Sequence, residues 1–166
     1  MYTIISSTNR ANSHSEKVAK AYQSLLLEKN ISASLFTLQN LDVSQRNHHY
    51  ISIENELLIP AQKIIFIIPE YNGSYPGVLK TMIDISDVYN VWAWKKALLT
   101  GVSTGRAGNL RGMDHLTGSL QYLNMYVHPN KLPISTIDKV MDTDGKIHNP
   151  ATLAAIDKQL EEFINF

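Results

Sequence analysis

Lys63-Ile64-Ile65-Phe66-Ile67-Ile68-Pro69 holds five consecutive apolar residues, four of them β-branched, between a lysine and a proline. A strand with one face in water alternates apolar and polar side chains, whereas a strand covered on both faces reads as a continuous apolar run. The run is too short for a buried helix and is rich in β-formers, so it reads as a strand over 63–68. Pro69 has no N–H to give to a neighbouring strand and ends it. The architecture that covers a strand twice is a parallel sheet with helices on both faces.

Outward from this strand the chain keeps alternating β-rich runs with helical patterns. Towards the N-terminus, Tyr2 to Ser6 reads as a strand. Val18, Tyr22, Leu25 and Leu26 recur at helical spacing, Ser34 to Leu38 reads as a second strand, and a weaker helix lies near 51–59. Towards the C-terminus, Val78, Leu79, Met82 and Ile83 start a helix and Ala97 to Val102 is a strand. Leu110, Met113, Leu116, Leu120 and Leu123 form a helical stripe, and a fifth strand lies near Met125 to His128. Asp142 to Gly145 reads as a turn. Asn149 is placed to cap a last helix with Pro150 at its first position, along the stripe Leu153, Ile156, Leu160 and Phe163. Trp92 and Trp94 precede the fourth strand, where an extended segment would put both on one face. The pattern predicts one α/β domain over residues 1–166, a three-layer doubly wound sheet of five parallel strands in the order 2-1-3-4-5.

Composition narrows the function. The 166 residues are 44% hydrophobic and 18% charged, with fifteen basic and fifteen acidic side chains giving a formal net charge of zero. That is neither the basic footprint of a nucleic-acid binder nor the acidic surface that steers small electron carriers to their partners. The absence of cysteine excludes disulfides, thiolate metal sites and cysteine nucleophiles. No histidine shows metal-ligand spacing, and His48-His49 read as a solvated pair. Met1-Tyr2-Thr3-Ile4-Ile5 has no basic leader, and no apolar run approaches the length of a membrane span, so a soluble cytoplasmic chain is expected.

In a sheet of this order, ligands bind beyond the carboxyl ends of the strands where the winding reverses, which picks out the loops after strands 1, 3 and 4. The first, Ser6-Ser7-Thr8-Asn9-Arg10-Ala11-Asn12-Ser13-His14-Ser15, is dense in hydroxyls, carries an arginine and runs into a helix. A helix N-terminus offers unpaired N–H groups to a phosphate. Thr8, Ser13 and Ser15 could add donors and Arg10 a charge-assisted bond, worth roughly 1.5–3 kcal/mol each. Ser13-His14-Ser15-Glu16 is equally a capping box that needs no ligand. The second, Pro69-Glu70-Tyr71-Asn72-Gly73-Ser74-Tyr75-Pro76-Gly77, fixes a shaped backbone that could approach a flat ligand, or is a structural turn carrying surface tyrosines. The third, Ser103-Thr104-Gly105-Arg106-Ala107-Gly108-Asn109, again permits close backbone approach. Arg106 and Arg111 read either as receivers of a second anion or as solvated charges. Together the loops describe a pocket for a phosphorylated planar heterocycle.

The segment Pro69-Glu70-Tyr71-Asn72-Gly73-Ser74-Tyr75-Pro76-Gly77-Val78-Leu79-Lys80 closely resembles the P-E-Y-N-G-S-x-P-G-x-L-K motif of the NADPH-dependent FMN reductases, which include azoreductase-, quinone reductase- and chromate reductase-type enzymes. The first loop is similar to that family's G-S-x-R-x-x-S loop, with Thr8, Arg10 and Ser13 in the matching places and Ser7 where the family has glycine. The third loop lacks the usual adjacent glycine pair. The resemblance implies a flavodoxin-like fold with FMN held non-covalently. Thr8, Arg10, Ser13 and Ser15 would hold its phosphate. Pro69, Glu70, Tyr71, Asn72 and Gly73 would lie beside the isoalloxazine, largely through backbone, and Ser103 and Gly105 near its pyrimidine edge. It further implies NADPH or NADH as co-substrate, a small acceptor (quinone, azo or nitro compound, metal oxyanion or free flavin), and a homodimer or homotetramer. The closely spaced pair Trp92 and Trp94 would suit the contact if exposed, core packing being the other reading, and charge and hydropathy predict no nucleic-acid or membrane partner. The alternatives are a flavodoxin-type electron carrier without a nicotinamide site, and a binding module that has lost its flavin.

Overall fold

In the computed structural model, which describes residues 1–166, four central strands pair in parallel: β1 (Tyr2–Ser6), β2 (Ala33–Thr37), β3 (Lys63–Pro69) and β4 (Lys96–Val102). β1 lies between β2 and β3, and β4 follows β3, so the winding reverses between β1 and β3 as the sequence predicts. Period-2 geometry divides the apolar residues of these strands between two cores. Ile5, Ile64, Phe66, Ile68, Ala97 and Leu99 face one side, and Ile4, Ile65, Ile67, Leu98 and Val102 the other. The first side is covered by α2 (His48–Ile53), α3 (Gly77–Ile85), the short α4 (Val88–Val91) and α5 (Leu110–Tyr122), the second by α1 (His14–Glu28), the short α6 (Ile137–Val140) and α7 (Pro150–Asn165). No helix is long and apolar enough to cross a membrane.

The fifth position of the sheet differs from the single strand expected at 125–128. It is split into β5 (Tyr126–Val127), paired with Lys96 and Ala97, and β6 (Leu132–Ile134), paired with Thr100 to Val102. The carbonyl of Leu99, opposite the break, needs another donor because a buried C=O without one is costly. The fully buried side chain of Gln159 on α7 supplies it, with Nε2 donating to Leu99 O at 3.1 Å and to Asn130 O at 2.9 Å. Its Oε1 accepts from Tyr22 Oη at 2.7 Å and Thr100 Oγ1 at 3.0 Å.

Several ends and turns depart from expectation by small amounts. α2 begins at His48, capped by Asn47, and continues as a widened π-turn over Glu54–Leu58. That turn brings the fully buried Glu54 carboxylate against the Arg46 guanidinium (2.8 Å) and the Asp87 N–H (2.8 Å). The start of α7 is as the sequence predicts, Asn149 capping through Thr152 N–H with Pro150 at the first position. The two tryptophans do not share a face. Trp92 is fully buried, while Trp94 adopts a left-handed backbone (φ +67°) and is 68% exposed beside Tyr126. They precede Lys96 and so sit at the amino end of β4, opposite the end where the loops after β1, β3 and β4 gather.

Candidate functional site

The carboxyl ends of β1, β3 and β4 and the first turn of α1 enclose a cleft of about 250 Å³. Arg10, Ser13 and Ser15 line it from the first loop, Pro69, Glu70 and Tyr71 from the second, and Ser103 from the third. Ala11, His14, Val102, Thr104 and Ile137 complete the wall. A wider groove of about 640 Å³ runs along the outer side of α1 towards the 144–147 turn. It mixes Lys17, Lys20 and Lys146 with Glu16, Glu28 and Asp144, and Lys17 and Lys20 are already bonded to Thr143 O and Glu16. The smaller cleft is the candidate site because its polar groups converge with partners missing.

On the α1 side, Ser13 Oγ accepts from Glu16 N–H at 3.1 Å, and Glu16 turns its carboxylate to Lys20, so only half of the capping box forms. By helix geometry the N–H groups of His14 and Ser15 have no intrahelical acceptor. Ser15 Oγ is 1% exposed and has no hydrogen-bond partner. Thr8 is also buried, and its Oγ1 lies 2.5 Å from Tyr71 Oη and accepts from Arg10 N–H at 3.2 Å. The Arg10 guanidinium lies 4.2 Å from the centre of the Tyr71 ring.

The second loop closes on itself. Tyr71 and Ser74 exchange two backbone bonds (2.9 and 3.1 Å) around Asn72 and Gly73, whose φ values of +51° and +76° are those of a type I′ turn. Glu70 N–H is used by Val102 O, leaving the N–H groups of Asn72 and Gly73 without intramolecular acceptors. The turn is pinned from α5. Asn109, left-handed at φ +63°, donates Nδ2 to Ile68 O and Pro69 O, both at 3.0 Å, and its N–H to Glu70 Oε2 at 3.3 Å. A Cβ on Gly73 would stand 3.2 Å from Arg111 Nη1, so Arg111 lies along this turn, although its sequence reads more readily as a solvated charge. His115 Nδ1 meets Ser74 Oγ at 2.9 Å.

In the third loop Ser103 Oγ donates to Gly105 O and accepts from Gly108 N–H, while Thr104 and Gly105 keep unbonded N–H groups at the rim. Of the residues singled out by sequence, Arg10, Ser13, Ser15, Pro69, Glu70, Tyr71 and Ser103 wall the cleft. Thr8 supports it from beneath, Asn72 and Gly73 form the tip of its second loop, and Gly105 lies in the rim, its carbonyl taken by Ser103 and Thr136. Arg106 is exposed. Sequence reading missed Ile137, which arrives from the segment after β6, and the clamping role of Asn109. A buried Asn opening a helix in αL geometry has a recognisable type but no local signal of its targets.

Residues 2–139 match the sequence model of the NADPH-dependent FMN reductases. The chain is 33% identical over 111 residues to an NAD(P)H-dependent FMN reductase of Pseudomonas aeruginosa, a match covering 64% of this chain and 59% of that one. It spans about half the length of other curated relatives that it matches. Against a quinone reductase of Pseudomonas putida it is 28% identical over 161 residues, 90% of this chain and 87% of that one. In three dimensions it is similar to the NAD(P)H:acceptor oxidoreductase FerB of Paracoccus denitrificans, with a TM-score of 0.79, 21% identity, and 99% and 94% of the two chains covered.

Proposed function

The chain belongs to the NADPH-dependent FMN reductase family, and from that membership we propose that it is an NAD(P)H-dependent FMN oxidoreductase, passing hydride from nicotinamide to bound FMN and then electrons to a small acceptor. The observation that carries this reading is the unpartnered Ser15 hydroxyl, buried at the N-terminus of α1 in a cleft that also presents Arg10. An unsatisfied buried hydroxyl costs about 1–3 kcal/mol, which a phosphate oxygen in the cleft would offset. The residues therefore fit FMN: a phosphate end at Ser15, Arg10 and the first-turn N–H groups, and a rim of free backbone donors for a flat ring.

When bound, FMN supplies an isoalloxazine that takes up hydride and hands electrons on. The chain's own residues bind and orient. The free N–H groups of Asn72 and Gly73 would face the ring's polar edge, held in place by the Asn109 clamp on Ile68 and Pro69. The free N–H groups of Thr104 and Gly105 would stabilise negative charge at the opposite edge of the site. Arg106, exposed beside them, would offer a dinucleotide's phosphates a positive charge. The names of similar proteins support quinones as acceptors, with azo and nitro compounds, metal oxyanions and free flavin as further candidates.

The test is anaerobic stopped-flow mixing of FMN-loaded protein with NADPH and, separately, NADH. Flavin colour should bleach within seconds and return on adding a quinone. Flavin that stays oxidised with both nicotinamides, yet is reduced by a separate reductase, would make the protein an electron carrier.

A further inference from the structure

Building on the FMN reading above, we propose that Tyr71 is a positioning residue for the phosphate end of the ligand, its ring holding the Arg10 guanidinium ready at the cleft. By sequence Tyr71 belongs to the loop that lies beside the ring. Its backbone does stay there, locked by the two bonds to Ser74. Its side chain leaves that loop and crosses to the other one. The hydroxyl bonds Thr8 Oγ1 at 2.5 Å, and the ring face receives Arg10 with Cζ 4.2 Å from the centroid. Thr8 in turn accepts the Arg10 backbone N–H at 3.2 Å, so Tyr71, Thr8 and Arg10 form one closed unit across a sequence separation of 63 residues.

The chemistry of the guanidinium gives this unit its consequence. Arg10 is an exposed, long side chain, and no carboxylate pairs with it among the chain's salt bridges. Such a side chain loses rotamer freedom when it grips an anion. Stacking fixes it beforehand while leaving its donors, which lie in the guanidinium plane, free for two phosphate oxygens. Thr8 is 1% exposed and bonded to both Tyr71 and Arg10, so it anchors the unit. Tyr71 therefore sets how strongly the site prefers a phosphorylated flavin.

Flavin-fluorescence titrations with FMN and riboflavin test this on the wild type, Tyr71→Leu, Tyr71→Phe, Arg10→Ala and the Arg10→Ala/Tyr71→Leu double variant. Tyr71 is only partly buried, so leucine opens no core cavity. The wild type should prefer FMN by about ten-fold or more, the scale of one charge-assisted contact. Tyr71→Leu should cut that preference about five-fold, with riboflavin affinity changed less than about two-fold, as expected for loss of a cation–π contact. Tyr71→Phe, which keeps the ring, should stay within about two-fold of wild type. In the Arg10→Ala background Tyr71→Leu should add nothing. An unchanged preference in Tyr71→Leu, equal loss for both flavins, a Phe variant as impaired as Leu, or additive losses would each overturn the proposal while leaving FMN binding intact. A wild type that does not distinguish FMN from riboflavin, or binds neither, would remove the underlying reading and this inference with it.

Discussion

Ser15 carries two opposed predictions, which makes it the sharpest single residue in the molecule. Its hydroxyl is buried and unpaired, so deleting it relieves a penalty in the free protein while removing a donor from the loaded one. Ser15→Ala should leave the free protein as stable as wild type or more stable, by up to about 1 kcal/mol in denaturant melts, and weaken FMN by roughly five- to ten-fold. Weakened stability together with unchanged FMN affinity would show that the hydroxyl faces packing and not ligand. The same position shows what is legible residue by residue. The capping-box and phosphate readings of Ser13 to Glu16 compete in the sequence; in the structure Ser13 Oγ caps Glu16 N–H, and Ser15 Oγ has no partner. Thr8 read as a phosphate donor because its type and place allow it. Its engagement with Tyr71 is a contact over 63 residues, and no local pattern encodes that. The approach of Arg111 to Gly73 is hidden for the same reason.

Helix α5 shows how an element is fitted to its loop. Gly112 and Gly118 sit six residues apart in it, and both would normally gain about 0.5–1 kcal/mol on replacement by alanine. Gly118 has open space around it and should follow that rule. A Cβ on Gly112 would stand 2.1 Å from Asn109 Oδ1 and 2.7 Å from the Ser74 carbonyl carbon, so Gly112→Ala should instead destabilise by about 1–3 kcal/mol. Paired urea melts read the difference in sign, and two stabilising alanines would mean that α5 can slide off the second loop without cost. The strands at the sheet centre were readable because burial on both faces leaves a continuous apolar signature. β6 was not, since it is three residues long with Pro133 at its middle, a residue that argues against a strand except at an edge. The π-turn after Ile53 carries Glu54 to Arg46 and Asp87, contacts that no local pattern announces. The left-handed ends of α1 and α5 at Asn30 and Asn124 follow a rule that could have been applied, since asparagine stands in for glycine at that position.

Across the whole molecule each face of the sheet hides one phenol. Tyr22 lies in the α1–α7 layer, bonded to Thr100 and Gln159, and Tyr50 in the opposite layer, bonded to Met82 O at 3.0 Å and Ser86 Oγ at 2.7 Å. Burial disfavours the charged phenolate, pushing Tyr50 up to about 12 and Tyr22 higher still. In the unfolded chain a tyrosine titrates near about 10. A pKa raised in the folded state means that folding favours the protonated form. That contribution is fully present below about pH 10 and is lost as pH climbs from there through the folded values. Stability should therefore decline from about pH 10 upward. Tyrosinate absorbance should rise in two stages, the later one coinciding with loss of the far-ultraviolet dichroism. Tyr50→Phe isolates one of the two groups. Ser86 keeps its own bond to Met82 O, so the variant leaves no donor stranded and should cost only about 1 kcal/mol at neutral pH. Because phenylalanine cannot ionise, its deficit relative to wild type should shrink between about pH 10 and 12. A deficit that stays constant across that range, with all eight tyrosines titrating in one stage before unfolding, would show that solvent reaches both cores without opening the fold.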